Sequence, residues 1–379
     1  MKQSVVHLRE GALAEIGAIL DHLQVRRVLL VVDQRAYDAS GAGDVLEPAL
    51  AGRTVIRFSD FKPNPELRHV VRGIVTFTEA RPDAVIALGG GTAIDLAKSI
   101  SRLAGQHAPL QDIIRGDTPY QPSGPPLITI PTTAGTGSEA THFAVVYIDG
   151  VKYSFAHRSV RPDFAIVDPL LTHNLPASVT AASGLDALCQ ATESLWAVAA
   201  TDESVAYAAR AFKLALTHLL RAVHEPTPEA RYGMSEAAHL AGQAINISRT
   251  TASHALSYAI TMQYGVPHGF AVALTLVPLL RYNAQLTDSD CIDPRGSDHV
   301  RQRIGQLLAI CQCSDVEAAC DTLRALIEQV GGLVHLAQIG AASDVAIEHL
   351  ARQVNAQRLS NNPRRLDENT LRQLLTSVR

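Results

Sequence analysis

Apolar, β-branched residues come in short runs through the first half of the chain. Residues 28–32, 54–58, 84–88 and 127–130 each hold such a run between polar or turn-forming positions, the mark of buried strands. Residues 66–79 and 93–103 instead repeat apolar positions three and four apart, which predicts helices. Strands alternating with helices predict a mostly parallel sheet covered by its crossovers. The pattern changes after Asp168-Pro169. From Pro176 onward apolar positions recur at three and four, Ala and Leu replace the β-branched runs, and the second half reads as all helical. The expected fold is an α/β domain over residues 1–170 followed by an all-α domain over 171–379. Pro226 and Pro228 predict a helix–helix connection, and the polar stretch 288–298 predicts a solvated loop.

Composition narrows the classes. A chain of 379 residues with 47% hydrophobic and 18% charged residues has room for more than one domain and is too apolar for disorder. A formal net charge of −4 offers no basic field for nucleic acid or an anionic membrane surface. The five cysteines, Cys189, Cys291, Cys311, Cys313 and Cys320, form no CxxC pair and fit a reducing compartment, so a cytoplasmic protein is expected. Arg9, Glu10 and Glu15 interrupt the apolar positions at the start of the chain, so neither a signal peptide nor a membrane span is expected.

Candidate chemistry begins where strand 84–88 runs into Gly89-Gly90-Gly91-Thr92 ahead of a helix. Glycines there let a backbone approach a pyrophosphate, and amides at the helix start attract anionic oxygens; a tight turn without a ligand is the plainer reading. The GxGxxG fingerprint is absent after the first strand, so this is not an ordinary dinucleotide-binding domain. Asp33, directly after 28–32, stands where an acid accepts from a ribose hydroxyl and repels an added phosphate, which favours NAD(H) over NADP(H); a strand-end turn acid is the alternative. Thr132, Thr133, Thr136 and Ser138 crowd hydroxyls among glycines after strand 127–130, a second set of phosphate or ribose contacts. In the second half Asp186 and Gln190 share a helix face, with Glu193 three residues further on. His254 and His268 flank a helix that Gly265 and Pro267 end. One carboxylate, one amide oxygen and two imidazoles suit a divalent transition ion with a position open to substrate oxygen, although a histidine near a helix end also serves as a cap or core residue.

At these residues the sequence resembles the iron-dependent (group III) alcohol dehydrogenases, which share a dehydroquinate synthase-like fold. The matching segments are GGGTAIDLAK from Gly89, PTTAGTGSEAT from Pro131, GLDALCQATES from Gly184 and HALSYAITMQYGVPHG from His254, and the likeness extends over essentially the whole chain. The resemblance implies that Asp186, His254 and His268 ligate one divalent metal, Fe(II) or Zn(II), and that Gly90, Gly91 and Thr92 cradle the pyrophosphate. It makes Asp33, Asn64, Thr132, Thr133, Thr136 and Ser138 cofactor contacts and places Lys152 near the nicotinamide. Two positions depart from the family pattern. Gln190 stands where a ligand histidine is common, a weaker neutral ligand that could bind directly, through water, or not at all. Tyr258 stands where a second histidine is common, and with His268 it is a candidate for proton transfer.

Segments such as FSDFKPNPE, VKYSFAH and NISRTTASHALSY are similar to the phosphonoacetaldehyde reductase branch of that family. That likeness implies reversible reduction of phosphonoacetaldehyde to 2-hydroxyethylphosphonate in phosphonate biosynthesis. A phosphonate dianion needs cations or strong donors, and Arg249, His142, His157 and Arg158 are the candidates, Arg249 first. Arg358, Arg364 and Arg365 are expected on a solvated or ion-paired surface. The other readings are a generic iron-type enzyme acting on short-chain alcohols and aldehydes, a dehydroquinate synthase-like lyase, and a nucleotide-binding protein without catalysis. The expected partners are a small aldehyde or alcohol and, as the family implies, a second copy of the chain in a homodimer.

Overall fold

The apolar runs of the first half pair with one another. In a computed structural model, which describes residues 4–354 and 356–379, the chain divides into two compact units, Met1–Leu175 and Pro176–Arg379. In the first, β1 (Val5–Leu8), β2 (Arg27–Val32), β3 (Thr54–Phe58), β4 (Ala84–Gly89), β5 (Leu127–Pro131) and β8 (Phe164–Val167) form a sheet in the order β1-β8-β5-β4-β2-β3. Every pairing in it is parallel. β6 (Phe143–Ile148) and β7 (Val151–Ala156) make a separate antiparallel hairpin. Every residue of β4 and β5 is buried, as parallel strands covered on both faces require. Successive residues point to opposite faces: Leu30, Ile86 and Ile128 enter one core cluster, Leu29, Val85 and Leu127 the other. Helices α1 (Ile16–His22) and α3 (Gly43–Leu50) feed the first cluster with Ile16, Leu20 and Leu46. Helices α4 (Leu67–Ala80) and α5 (Gly91–Leu103) feed the second with Val70, Ile94 and Ile100. The short α2 (Gln34–Ser40) and α6 (Leu110–Arg115) complete this unit.

The four anticipated strands form, and the structure adds β1, β8 and the hairpin. β1 is an edge strand whose Val5 and Val6 are exposed, so it lacks the doubly buried apolar run that marks β2 and β4. From β2 the chain moves outward to β3, then crosses back to β4 on the other side of β2. That reversal is a topological switch point, where the loops at the carboxyl ends of two adjacent strands part and leave a crevice for a ligand.

The second unit is helical throughout its long elements. These are α7 (Ala177–Trp196), α8 (Asp202–His224), α9 (Pro228–Ser248), α10 (Ala252–Tyr264), α11 (His268–Ala284), α12 (Ser297–Cys311), α13 (Val316–Gln329), α14 (Asp344–Arg352), α15 (Ala356–Leu359) and α16 (Glu368–Ser377). Every residue of α7 from Gly184 to Trp196 is buried, so this helix runs through the core of the unit. The prolines at 226 and 228 do mark a connection: α8 ends at His224, and Thr227 caps α9. The stretch 288–298 is the expected exposed loop at Asp288, Ser289, Pro294, Arg295, Gly296 and Asp298, and it adds one buried anchor. Asp293 is buried and takes the Arg295 guanidinium at 2.9 and 2.7 Å, while Arg295 donates to the carbonyls of Ala197, Val198 and Ala200. Those acceptors lie just beyond α7, so the loop anchors the end of the central helix.

Candidate active site

The first unit gathers its candidate residues at the switch point. Gly89 ends β4 with φ 144, a conformation closed to other residues, and a Cβ there would stand 2.9 Å from the Ala93 Cβ and 3.1 Å from the Asp33 Cβ. Only glycine fits, and Asp33 is therefore its neighbour across the two strand ends. The sequence places all three glycines in this turn, and the family resemblance gives the cradle role to Gly90, Gly91 and Thr92. Gly90 lies against Thr133 and Gly91 against Thr136. The Thr132 amide donates to the Gly89 carbonyl at 3.0 Å, and the buried Thr132 Oγ1 has no hydrogen-bond partner. Thr92 follows in the first turn of α5, whose cap Gly90 brings no side chain of its own. An orphaned hydroxyl beside a backbone cradle at a helix start suits a phosphate-bearing ligand.

Other candidates are bonded within the protein or lie on its surface. The Ser138 hydroxyl donates to Asp95 at 2.6 Å and accepts from Lys98 at 3.1 Å, so it braces the loop. Lys98 is fully buried; its ammonium also donates to Ser138 O, Thr141 Oγ1 and Phe143 O at 2.6–3.0 Å. Burial pushes Lys98 down to about 8, with Asp95 and Glu139 pulling the other way. Asp33 Oδ1 caps α2 by accepting from the Arg35 and Ala36 amides. Asn64 sits at φ 62 in the exposed turn before α4. That turn is tied to the hairpin by the Tyr147 amide, which donates to Pro65 O at 2.8 Å, and Tyr147 is in register with Lys152. His142 and His157 flank the same hairpin, where the His157 amide donates to His142 O and its ring accepts from the Ser159 amide. Arg158 follows on the surface.

The second unit assembles a ligand cluster. Asp186, His254 and His268 each offer a ligand atom, all within 4.8 Å of one another. His254 Nε2 lies 3.2 Å from Asp186 Oδ1, and the two imidazole centres are 5.4 Å apart. α11 reaches α7 because position 269 has no side chain: a Cβ on Gly269 would fall 1.8 Å from the Ala182 carbonyl oxygen. Gln190, one turn after Asp186, is buried and hydrogen-bonds its carboxylate. Burial alone would raise the Asp186 carboxyl, but the bond from His254 and the charges of both imidazoles hold it below its usual range. Burial likewise opposes charge on His254, yet Glu193 and Asp186 outweigh it and push the imidazole up to about 10. A carboxylate and two imidazoles so placed suit a transition ion of borderline softness.

Two contributors escaped the sequence reading of roles. Glu193 is fully buried and accepts from Thr251 Oγ1 at 2.8 Å, from the Ser253 and His254 amides at 2.9 and 3.3 Å, and bonds His254 Nδ1. It thus satisfies the open amides at the start of α10 and fixes the ring whose other nitrogen faces the cluster. Its spacing after Asp186 and Gln190 was the available signal. Arg358 corrects an expectation: it is not on a solvated face but lies over the Tyr258 ring, 4.6 Å from its centre, and donates to Tyr258 Oη at 2.8 Å. Tyr258 in turn stacks on His268, with centres 6.0 Å apart and planes 8° from parallel. Arg364 pairs with Asp290 at 2.8 Å and Arg365 is exposed, as expected. Arg249 is exposed at the end of α9, with φ 58.

Comparison with known proteins matches these two halves to two family models. Residues 4–169 match "Iron-containing alcohol dehydrogenase", and residues 180–378 match "Fe-containing alcohol dehydrogenase family, C-terminal". A phosphonoacetaldehyde reductase of Streptomyces viridochromogenes is 37% identical over 309 residues, 78% of this chain and 76% of that protein. A choline dehydrogenase of Bacillus subtilis is 35% identical over 72% of this chain and 69% of its own length. Among solved structures, the sulfoacetaldehyde reductase of Bifidobacterium kashiwanohense in complex with NAD+ has a TM-score of 0.88 at 29% identity, covering 100% of this chain and 97% of that one. A 1,3-propanediol oxidoreductase has a TM-score of 0.86 at 27% identity over 100% of both chains. With its parallel-sheet unit, its helical unit and its ligand cluster, the chain belongs to the iron-containing alcohol dehydrogenase family, oxidoreductases that interconvert alcohols and aldehydes.

Proposed function

We propose that this enzyme reduces phosphonoacetaldehyde to 2-hydroxyethylphosphonate, reversibly, in phosphonate biosynthesis in the cytoplasm. The observation that carries the reading is a fixed guanidinium, Arg358, stacked through Tyr258 onto a ligand histidine, in a chain 37% identical to a phosphonoacetaldehyde reductase. The sulfoacetaldehyde reductase among its structural neighbours acts on another short aldehyde with an anionic tail. A cation at this place disfavours a cationic substrate, which argues against the choline of the 35% identical relative.

When bound, a divalent ion, Fe(II) or Zn(II), would polarise the carbonyl, and a nicotinamide dinucleotide would supply the hydride. Asp186, His254 and His268 would hold the ion, and Gln190 would add its amide oxygen directly or through water. Gly90, Gly91, Thr92, Thr132, Thr133 and Thr136 would hold the dinucleotide, with Ser138 bracing their loop and Asn64 and Lys152 toward its other end. The Asp33 carboxylate would repel a 2′-phosphate, so NADH is favoured over NADPH. The carbonyl carbon gains hydride and its oxygen gains a proton, delivered by Tyr258, His268 or water. Arg249, His142, His157 and Arg158 are further candidates to meet the phosphonate. The working assembly in this reading is a homodimer, checked by sedimentation at micromolar concentration.

The test is NADH and NADPH consumption with phosphonoacetaldehyde and with a size-matched neutral aldehyde, each with chelator, Fe(II) or Zn(II). The expected result is a kcat/KM for the phosphonate about 100-fold above the neutral aldehyde, faster with NADH and lost with chelator. Equal rates on the two aldehydes would overturn the substrate and leave a general alcohol dehydrogenase.

A further inference from the structure

We infer that Arg358 is the specificity-determining residue that recognises an oxyanion on the substrate's tail, an assignment that rests on the reading above and deepens it. Its place is set by packing, not by a long helix. α15 has four residues, and its last, Leu359, is buried in the cluster that holds Ala255, Leu256 and Ala259 of α10. Beyond it, Asn361 donates to the carbonyls of Ser248 and Thr250 at 2.8 and 2.9 Å and accepts from the Ala199 amide at 2.9 Å. Asn362 and Asn283, both fully buried, exchange amide hydrogen bonds at 2.9 and 3.1 Å. The chain on the C-terminal side of Arg358 is therefore clamped to α9, α11 and the end of α7 before any ligand arrives.

The side chain is ordered in turn. The guanidinium carbon lies over the Tyr258 ring, 4.6 Å from its centre, and the 2.8 Å bond to Tyr258 Oη tethers it there. Tyr258 passes the alignment to His268 through parallel rings. The result is a permanent positive charge two stacked layers from a ligand of the cluster. An aldehyde held by its carbonyl oxygen at the cluster, with a phosphonate or sulfonate on its next carbon, would need its negative oxygens to approach the guanidinium past the His268 and Tyr258 rings, whose centres are 6.0 Å apart, with Arg358 4.6 Å from the Tyr258 centre. A planar guanidinium, always charged and able to give two parallel hydrogen bonds, suits such a group better than the ammonium of lysine. Because the side chain is already immobilised, little rotamer entropy is lost when the anion binds.

The experiment compares wild type, Arg358→Met and Arg358→Lys on phosphonoacetaldehyde and butanal, and measures inhibition of butanal reduction by methylphosphonate. Expected is a fall of about 100-fold in the phosphonoacetaldehyde to butanal ratio of kcat/KM for Arg358→Met, carried by KM. Arg358→Lys should recover part of the ratio, and methylphosphonate should inhibit wild type but not Arg358→Met. A wild type that prefers the phosphonate and an Arg358→Met that keeps the preference would overturn the assignment and leave the proposed function standing. A wild type without preference, inhibited by methylphosphonate only while Arg358 is present, would overturn the substrate and uphold the anion site. No preference and no inhibition would overturn both.

Discussion

Glu193 collects donors from Thr251, Ser253 and both the amide and the ring of His254, which is why a carboxylate can stand fully buried in α7. An unpaired carboxylate in such a place would cost several kcal/mol. The same bonds aim His254 at Asp186, so the cluster depends on a residue outside it. Glu193→Gln keeps the shape but loses the charge and one acceptor, and affinity for Zn(II) should fall by 10–100-fold, as outer partners of ligand histidines generally require. Titration against a competing chelator measures it, with thermal unfolding of the metal-free protein as the reference. An unchanged affinity with a lowered Tm would assign Glu193 to the fold alone. Sequence spacing placed Glu193 on the face of Asp186 and Gln190, but its partners are about sixty residues away, and only packing names them.

At the scale of elements, α5 carries the glycine turn at its start and the Asp95–Lys98 pair within it, and that pair grips the hydroxyl-rich loop through Ser138, Thr141 and Phe143. Helix and loop are thus tied together by side-chain hydrogen bonds. Burial lowers Lys98 from 10.5 to about 8, so between those values the unfolded chain holds a proton that the folded chain has released. Stability rises with pH wherever the unfolded state binds more protons, so the wild type should gain on Lys98→Met by about 1–3 kcal/mol from pH 8 to 10.5, with a constant gap below pH 8. Urea unfolding of both proteins across that range provides the comparison; a gap that narrows with pH would show that Lys98 keeps its proton more tightly folded than unfolded. The lysine and acid are visible in GGGTAIDLAK, yet nothing local distinguishes a buried clamp from a surface pair three residues apart.

Over the whole molecule, the glycine turn proposed to cradle the dinucleotide and the Asp186–His254–His268 cluster belong to different compact units, each with its own core. Hydrogen exchange should report them separately. NADH should slow exchange by about tenfold or more around residues 89–92 and 132–138, and Zn(II) should do so around 186–193 and 252–257. Protection by Zn(II) confined to other helices would remove Asp186, His254 and His268 from the metal site. Among the described residues no helix is long and apolar enough to cross a membrane, in keeping with the charge pattern of the chain.

The sequence by itself determined the division into a strand-and-helix half and a helical half, the glycine turn after β4, and the donor types at 186, 190, 254 and 268. These follow from period, turn chemistry and ligand chemistry, all of which act over a few residues. Only the tertiary structure decided that Ser138 braces a loop, that Asp293 anchors the end of α7, and that Arg358 stands on Tyr258, a hundred positions away in the chain. In each case a polar side chain takes the partner that burial leaves within reach, and the partner is brought there by helices and strands packing their apolar faces together.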